Sequence, residues 1–145
     1  MCAWPLFLLF ALGACRPSLK GWWDLEEWRI ERDGADPLVE VDAGIVVWQA
    51  EGSLAAFGSV YHSVRYDYDP VAFALVPDPD AELVETAWEF EEWDKDLPLE
   101  MDWIEGEEYF TLTFELSKYR TTSMTLESPS PFAGDTAIWT WNLVR

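Results

Sequence analysis

The stretch 109-YFTLTFEL-116 decides the fold of this chain. Phenylalanine and leucine occupy every second position and alternate with threonine and glutamate, which is the period of a β-strand with one buried face. Ser117-Lys118 interrupts the pattern, and 121-TTSMTL-126 then resumes a β-rich run. The two runs predict an antiparallel hairpin.

The same period recurs at other places along the chain. Trp88 and Phe90 alternate with glutamates, and Trp139, Trp141 and Leu143 alternate with polar residues. Turn signals rich in Asp, Gly and Pro separate the runs. Further candidate strands are 21–32, 44–50, 55–68, 71–76 and 99–105.

These segments are short, lie close together in sequence and include no convincing helix. Sequential strands of this kind indicate an up-and-down barrel or a sandwich. We predict an all-β fold, a single antiparallel barrel of about eight strands that covers residues 21–145.

Charge and composition restrict the function classes. The chain carries 28 acidic residues against 9 Lys and Arg, a formal net charge of −19. Nucleic-acid affinity depends on Lys and Arg that neutralise phosphates, so this balance excludes a nucleic-acid partner and argues against docking on an anionic membrane surface. Hydrophobic residues make up 50% of the chain and ten residues are tryptophan, whereas disordered acidic segments are poor in aromatics. We expect a folded acidic domain.

The chain opens with an apolar run over residues 3–14. A helix that spans a bilayer needs roughly 20 such residues, whereas a signal-peptide core has about 7–15. The run ends in Leu12-Gly13-Ala14-Cys15. An aliphatic residue and two small residues before a cysteine resemble a bacterial lipobox. The resemblance implies a signal peptide over 1–14, cleavage before Cys15 and a lipid on that cysteine.

The predicted lipid anchor implies a cellular location for the protein. Residues 15–20 form a short lipidated tether, so the membrane is a partner through the acyl chains. Arg16 stands where an Asp would resemble an inner-membrane retention signal, so we expect the outer membrane of a cell envelope. Plain secretory cleavage and a buried apolar strand are the alternatives for the run. A Cys2–Cys15 disulfide would tie down a segment whose removal the lipobox implies.

The predicted first strand carries a second resemblance. It begins Gly21-x-Trp23-x-Leu25, a polar turn follows at Asp33-Gly34, and an aromatic strand with a final hairpin covers 110–126. This order resembles bacterial lipocalin-like lipoproteins, whose first strand opens with Gly-x-Trp. The resemblance spans most of the predicted domain. It implies a barrel that binds a small apolar or amphipathic molecule, or one that serves envelope housekeeping.

In that family the tryptophan closes one barrel end beneath an arginine from a late strand. The resemblance implies that Gly21 and Trp23 lie at a barrel end, with Arg145 or Arg120 as the covering residue. Stacking of the guanidinium on the indole would be a cation–π contact. A plain core position for Trp23 is the alternative.

Catalytic signatures are lacking in the sequence. The single histidine, His62, alternates in phase with Val60, Val64 and Tyr66, so it either faces a cavity or is a satisfied strand histidine. No nearby serine has a nucleophile-elbow pattern, and one histidine without a free cysteine builds no zinc site. Carboxylates are so numerous that a glycosidase-like pair would arise by chance. We expect no enzyme, with a carboxylate-based hydrolase as the remaining alternative, and we expect no cofactor and no metal site.

The aromatic residues are the informative class. Trp22 and Trp23 point to opposite faces of one strand, so some tryptophans face outward unless a bulge intervenes. Outward rings could stack on a sugar or on a partner. The alternative function is therefore a glycan- or protein-binding β-sandwich with exposed tryptophans, and the oligomeric state stays open. The candidate ligand-binding residues are Trp48, His62, Tyr66, Trp88, Phe90, Trp139 and Trp141.

Overall fold

The structure is a computed structural model of the chain, and it describes residues 19–51, 56–90, 99–105 and 108–145. Cys15, the predicted signal peptide and most of the predicted tether lie outside the described residues. Within the described ranges the chain forms ten β-strands. They are β1 Gly21–Glu31, β2 Leu38–Glu51, β3 Ala56–Val64, β4 Tyr66–Asp69, β5 Ala74–Pro77, β6 Val84–Phe90, β7 Leu99–Glu105, β8 Glu108–Tyr119, β9 Ser123–Pro129 and β10 Ile138–Val144.

Eight of these strands close into an antiparallel barrel in the order β1-β10-β9-β8-β7-β6-β3-β2. The remaining two, β4 and β5, pair with each other as a separate hairpin between β3 and β6. The predicted all-β fold and the up-and-down barrel of about eight strands are confirmed. The sandwich alternative is wrong, because β1 and β10 pair from Glu31↔Ile138 to Asp24↔Val144, with one bulge, and so join the two ends of the sheet.

The period of two decides which side chains fill the barrel. In β10 the rings of Trp139 and Trp141 are buried, whereas Ile138 is exposed. In β8, Leu112 and Phe114 are buried in the same way. Opposite faces of each strand therefore supply the aromatic core and the acidic outer wall.

A bulge in β1 changes the inward phase. Trp23 and Leu25 are buried, and so are Trp28 and Ile30, although Leu25 and Trp28 are an odd number of positions apart. The register with both neighbouring strands shifts between Leu25 and Glu27. Without the extra residue Trp28 would point to solvent, because a shift by one residue reverses every following side chain.

A kink in β2 faces this bulge. Asp42 and Gly44 have positive φ angles of 52° and 150°. A Cβ atom on Gly44 would lie 2.1 Å from the Ser63 carbonyl oxygen, which is far inside van der Waals contact. Glycine is therefore required where β2 bends and its backbone lies unusually close to that of the paired strand β3.

The predicted single strand over 55–68 is wrong. β3 ends at Val64, and the Arg65 N–H donates to the Ala43 carbonyl oxygen at 2.8 Å. The chain then leaves the barrel wall and forms β4, in which Tyr66 is opposite Pro77. The alternation of apolar residues continues through the break, so the sequence pattern does not mark it.

Candidate functional site

Four tryptophan rings meet inside the barrel, and we call them the tryptophan cluster: Trp28, Trp103, Trp139 and Trp141. The ring centroid of Trp28 lies 4.9 Å from that of Trp139 and 6.2 Å from those of Trp103 and Trp141. All four residues are buried. These largely edge-to-face contacts are worth about 0.5–1.5 kcal/mol each beyond area burial. Side chains thus occupy the middle of the barrel, as eight strands allow.

Five of the seven predicted ligand-binding residues are buried inside the barrel. Trp139 and Trp141 belong to the tryptophan cluster, and the Trp88 Nε1–H donates to the Gln49 carbonyl oxygen at 3.1 Å. The five buried residues are Trp48, His62, Trp88, Trp139 and Trp141.

The other two predicted ligand-binding residues lie elsewhere. Tyr66 belongs to the β4–β5 hairpin, is half-buried outside the barrel wall, and lines a pocket there together with His62. Phe90 is the last residue of β6, opposite Ala56 in the register, and its side chain lies outside the part of the chain that the structure describes. A role for any of the seven in ligand binding stays a prediction.

One end of the barrel, the Arg145 end, is closed by a cation–π contact. The Arg145 guanidinium carbon lies 4.1 Å from the centroid of the Trp23 ring. The same guanidinium donates to the Lys20 carbonyl oxygen at 2.8 Å and to the Thr121 carbonyl oxygen at 2.7 Å. Arg120, the alternative covering residue, is exposed. The arginine therefore ties the entry of β1 to the β8–β9 turn.

Two neighbouring features complete the Arg145 end. The Trp23 Nε1–H donates to the carbonyl oxygen of Leu19, which is itself fully buried. Gly21 has a φ of 110°, and a Cβ there would approach the Arg145 side chain at 3.8 Å. The chain therefore begins to pack into the barrel before the first strand starts.

The opposite end, the hairpin end, is covered by β4 and β5. Tyr68 packs edge-to-face on Trp139 at 5.6 Å and on Phe132 at 5.7 Å. Its hydroxyl donates to the Asp135 carboxylate at 2.6 Å. Burial and that carboxylate raise the pKa of Tyr68 above its usual range. The tyrosine therefore stays a neutral donor and fastens the hairpin to the β9–β10 loop.

Arg32 fastens the hairpin from the other side. Its guanidinium carbon lies 4.2 Å from the centroid of the Phe73 ring, and it donates to the Pro70 carbonyl oxygen at 3.1 Å. Cation–π contacts of this kind contribute roughly 0.5–2 kcal/mol, depending on exposure. The hairpin is therefore held at both its flanks.

A pocket of about 150 Å³ lies at the hairpin end, and we call it the His62 pocket. The His62 ring stacks on Trp103 with centroids 4.6 Å apart and planes 11° from parallel. His62 is 3% exposed, and its Nε2 atom has no hydrogen-bond partner in the described part of the chain. Apolar lining comes from Val64 and Val84, among others.

Three carboxylates also line the His62 pocket: Asp67, Asp78 and Glu82. Burial raises the pKa of Asp67, and the charge of Asp78 raises it further. Burial lowers the pKa of His62 to about 4, so the imidazole is neutral at pH 7. The pocket therefore combines a neutral imidazole, apolar side chains and uncompensated negative charge.

A larger groove lies on the outer wall and has a volume of about 470 Å³. Glu89 and Glu100 face each other across its β6–β7 seam. Asp102 accepts a hydrogen bond from the Thr111 hydroxyl at 3.2 Å and another from the Tyr109 hydroxyl. The groove residues include Phe57, Ser59, Ala87, Glu89, Glu100 and Asp102.

Of the residues that line the His62 pocket, only His62 and Tyr66 belong to the predicted ligand-binding set. Trp103 carries a readable signal, because it alternates in phase with Leu99 and Met101, which are also buried. Asp67 and Asp78 carry none. The β4–β5 pairing and a hydrogen bond from the Asp78 N–H to the Arg65 carbonyl oxygen bring them to the pocket, and these contacts have no local sequence period.

The described residues form neither a metal site nor a membrane-spanning helix. Among the residues with a described position, no group of three or more His, Cys, Asp or Glu side chains could hold a metal ion. The same part of the chain contains no helix that is long and apolar enough to cross a membrane.

Comparison with known proteins adds little to the assignment. No protein-family model and no curated protein matches this chain. A solved structure of a redesigned β-barrel is similar over 88% of this chain and 90% of its own, with 11% sequence identity and a TM-score of 0.47. This similarity is too weak to support an assignment, so the barrel is assigned from the pairing of its own strands.

Proposed function

We propose that this chain is a lipid-anchored lipoprotein of the bacterial cell envelope, whose lipocalin-like barrel binds a small ligand in the His62 pocket. The pocket that His62 lines, together with the lack of a described partner for its buried Nε2 atom, carries the binding part of the proposal. The buried Nε1 atoms of four core tryptophans also lack described partners, so the pocket geometry is the deciding observation. A buried polar atom without a partner costs about 1–3 kcal/mol. A bound ligand is one way to recover that cost. The proposal assigns binding and no reaction.

The filled interior moves the expected ligand site away from the barrel centre. The tryptophan cluster occupies the space where a lipocalin-like protein would be expected to hold its ligand. The Trp23–Arg145 contact at the other end supports the lipocalin-like assignment, because an arginine over the Gly-x-Trp tryptophan is what the resemblance implies. We therefore place the proposed ligand site at the hairpin end.

The proposed anchor orients the molecule. Leu19 is buried at the Arg145 end, and Cys15 precedes it by only four positions. Four extended residues reach at most about 14 Å. An acylated Cys15 would hold the Arg145 end near the bilayer and turn the His62 pocket away from it. The ligand would then arrive from the aqueous phase.

The anchor is tested by Cys15→Ser in the expressing cell. We expect loss of metabolic labelling with a fatty acid and release of the protein from the membrane fraction. Cys2→Ser is the matched control, because Cys2 lies in the segment that the lipobox implies is removed, and it should leave labelling unchanged. Continued labelling of the Cys15→Ser protein would remove the anchor from the proposal.

The binding function is tested by native mass spectrometry of the full chain purified from its host. We expect an additional small mass that gentle activation releases from the protein. Absence of such a mass, together with no response of the His62 imidazole signals to a library of small molecules, would contradict ligand binding.

A second candidate function is glycan binding on the outer groove. Its volume, the exposed ring of Phe57 and the surrounding carboxylates favour it, because sugars combine apolar faces with hydroxyl donors. The tryptophans do not form the platform, since Trp22 is the one exposed tryptophan in the described part of the chain. Loss of oligosaccharide binding in Phe57→Ala, but not in Trp22→Ala, would support this candidate.

A further inference from the structure

The geometry points to a small organic cation with a primary ammonium group on a short apolar stem as the occupant of the His62 pocket. This inference deepens the proposed binding function and depends on it.

The charge of the pocket selects a cation. Asp67, Asp78 and Glu82 all line it. The ion pairs found in the described part of the chain join Arg29 to Glu31 and Arg65 to Asp42. None of the three pocket carboxylates therefore has a protein cation among the described residues. Concave sites lined by one sign of charge concentrate ligands of the opposite sign and repel those of the same sign.

The single described donor to these carboxylates leaves most of their acceptor capacity unused. The Asp80 N–H donates to Asp78 Oδ1 at 3.1 Å, whereas an ionised carboxylate has about four acceptor positions. A primary ammonium group supplies three N–H donors and one positive charge. One such group has enough donors for charge-assisted hydrogen bonds to two carboxylates.

His62 adds an independent observation in favour of a donor ligand. It is buried in the wall of the same pocket, its Nε2 atom lacks a partner in the described structure, and no hydrogen bond therefore occupies that nitrogen. The neutral ring does not repel a cation, because burial lowers the pKa of His62 to about 4. Because Nε2 has less than 1 Å² of accessible surface, an ammonium donor would satisfy this nitrogen after a small shift of the surrounding side chains.

The volume indicates how large a group the pocket can surround. A pocket of about 150 Å³ holds about five water-sized groups, since each takes up roughly 30 Å³. Val64, Val84 and Ile104 provide apolar surface for a short stem. An alkylamine of about five non-hydrogen atoms fits within this space, whereas an acyl chain or a nucleotide would extend out of the pocket.

The aromatic contacts argue against a quaternary ammonium ligand. Such ligands are held by open faces of aromatic rings. His62 covers one face of Trp103 in a parallel stack. Recognition would therefore come from hydrogen-bond donors on the ligand, which a quaternary ammonium group lacks.

The test is a titration of the full-length protein in detergent at neutral pH, followed through the imidazole NMR signals of its single histidine. The probes are n-butylammonium, the neutral n-butanol, the anionic butyrate and tetramethylammonium, which has no N–H donor. We expect saturable shifts with n-butylammonium at about 1 mM, the affinity range of very small ligands. The other three probes should bind at least tenfold more weakly.

Charge-neutralising variants identify the site. Asp67→Asn with Asp78→Asn should weaken n-butylammonium binding at least tenfold. Glu115→Gln with Glu127→Gln removes the same charge from the exposed outer wall and should change the affinity less than twofold. Glu82→Gln alone, at an exposed position, gives a second readout if the double variant does not fold, and should weaken binding about threefold.

The possible outcomes distinguish failure of the ammonium inference from failure of the proposed binding function. If n-butanol binds as tightly as n-butylammonium, or if the Asp67 and Asp78 changes have no effect, the ammonium class is wrong while a small-ligand site stands. If no probe shifts the His62 signals and native mass spectrometry finds no bound molecule, the binding function fails as well.

Discussion

His62 stacks on Trp103 with ring centroids 4.6 Å apart and planes 11° from parallel. Trp103 also contacts three other tryptophans of the barrel interior. The imidazole is therefore the outer layer of the aromatic core on one side and a wall of the pocket on the other. A change in the charge of the imidazole would therefore alter its interactions with both the aromatic core and the pocket.

Acid should destabilise the protein through His62. Its pKa is about 4 in the folded chain because of burial, against about 6.5 when unfolded. Between these values only the unfolded chain binds the proton, so the free energy of unfolding falls as the pH drops through that window, by on the order of 3 kcal/mol. Above the window both states are neutral, and below it both are protonated.

Urea unfolding of the wild type and of His62→Gln at several pH values across that window isolates this effect. The numerous carboxylates titrate in both proteins and largely cancel in the difference. Direct NMR titration of the single imidazole gives the folded pKa itself. A value at or above the usual one would show that Asp67, Asp78 and Glu82 outweigh burial, and would contradict this prediction.

Removal of the Arg145 side chain should open the Arg145 end. Arg145→Ala loses the contact with Trp23 and two hydrogen bonds to carbonyl oxygens. We expect the free energy of unfolding to fall by about 2–3 kcal/mol. Arg145→Lys keeps the positive charge but lacks the planar guanidinium group, so its free energy of unfolding should lie between those of the wild type and Arg145→Ala. Arg120→Ala, at an exposed position, serves as the control and should stay within about 0.5 kcal/mol of the wild type.

Substitution of Gly44 should be severe. In Gly44→Ala the new Cβ meets the Ser63 carbonyl oxygen at 2.1 Å, on a backbone with a φ of 150°. We expect a loss of at least about 3 kcal/mol in chemical unfolding. Gly134→Ala is matched in positive φ, at 79°, but has open space around the new atom. Its cost should be limited to the backbone term of about 1–2 kcal/mol. Equal costs would show that the close approach of β2 and β3 is unimportant.

The barrel follows from the sequence because its signal is local. In 109-YFTLTFEL-116 and in β10, the alternation of apolar and polar residues shows directly which side chains point into the barrel. The β1 bulge was also readable, since the apolar positions Trp23, Leu25, Trp28 and Ile30 change phase once between Leu25 and Trp28. A phase change within an otherwise regular strand indicates an inserted residue.

The His62 pocket does not follow from the sequence, because its signal is tertiary. Its carboxylates belong to the hairpin inserted after β3 and to the loop behind it, and no period relates them to His62. The break at Arg65, which creates that hairpin, lies within an unbroken alternation of apolar residues. Alternation with Val60 and Val64 places His62 on an inward face, but no sequence pattern indicates the groups that surround it.

Shortening of Trp28 should test whether the barrel interior is filled. Trp28→Ala removes the ring that contacts Trp103, Trp139 and Trp141, and we expect a loss of about 3–5 kcal/mol because a cavity remains. Indole added in about tenfold excess over its Kd should restore about 1.4 kcal/mol to this variant by binding the cavity. Trp22→Ala, at a position 56% exposed, should lose less than about 0.5 kcal/mol and gain nothing from indole. Equal stabilisation of the wild type by indole would show that the interior already has room for a ligand.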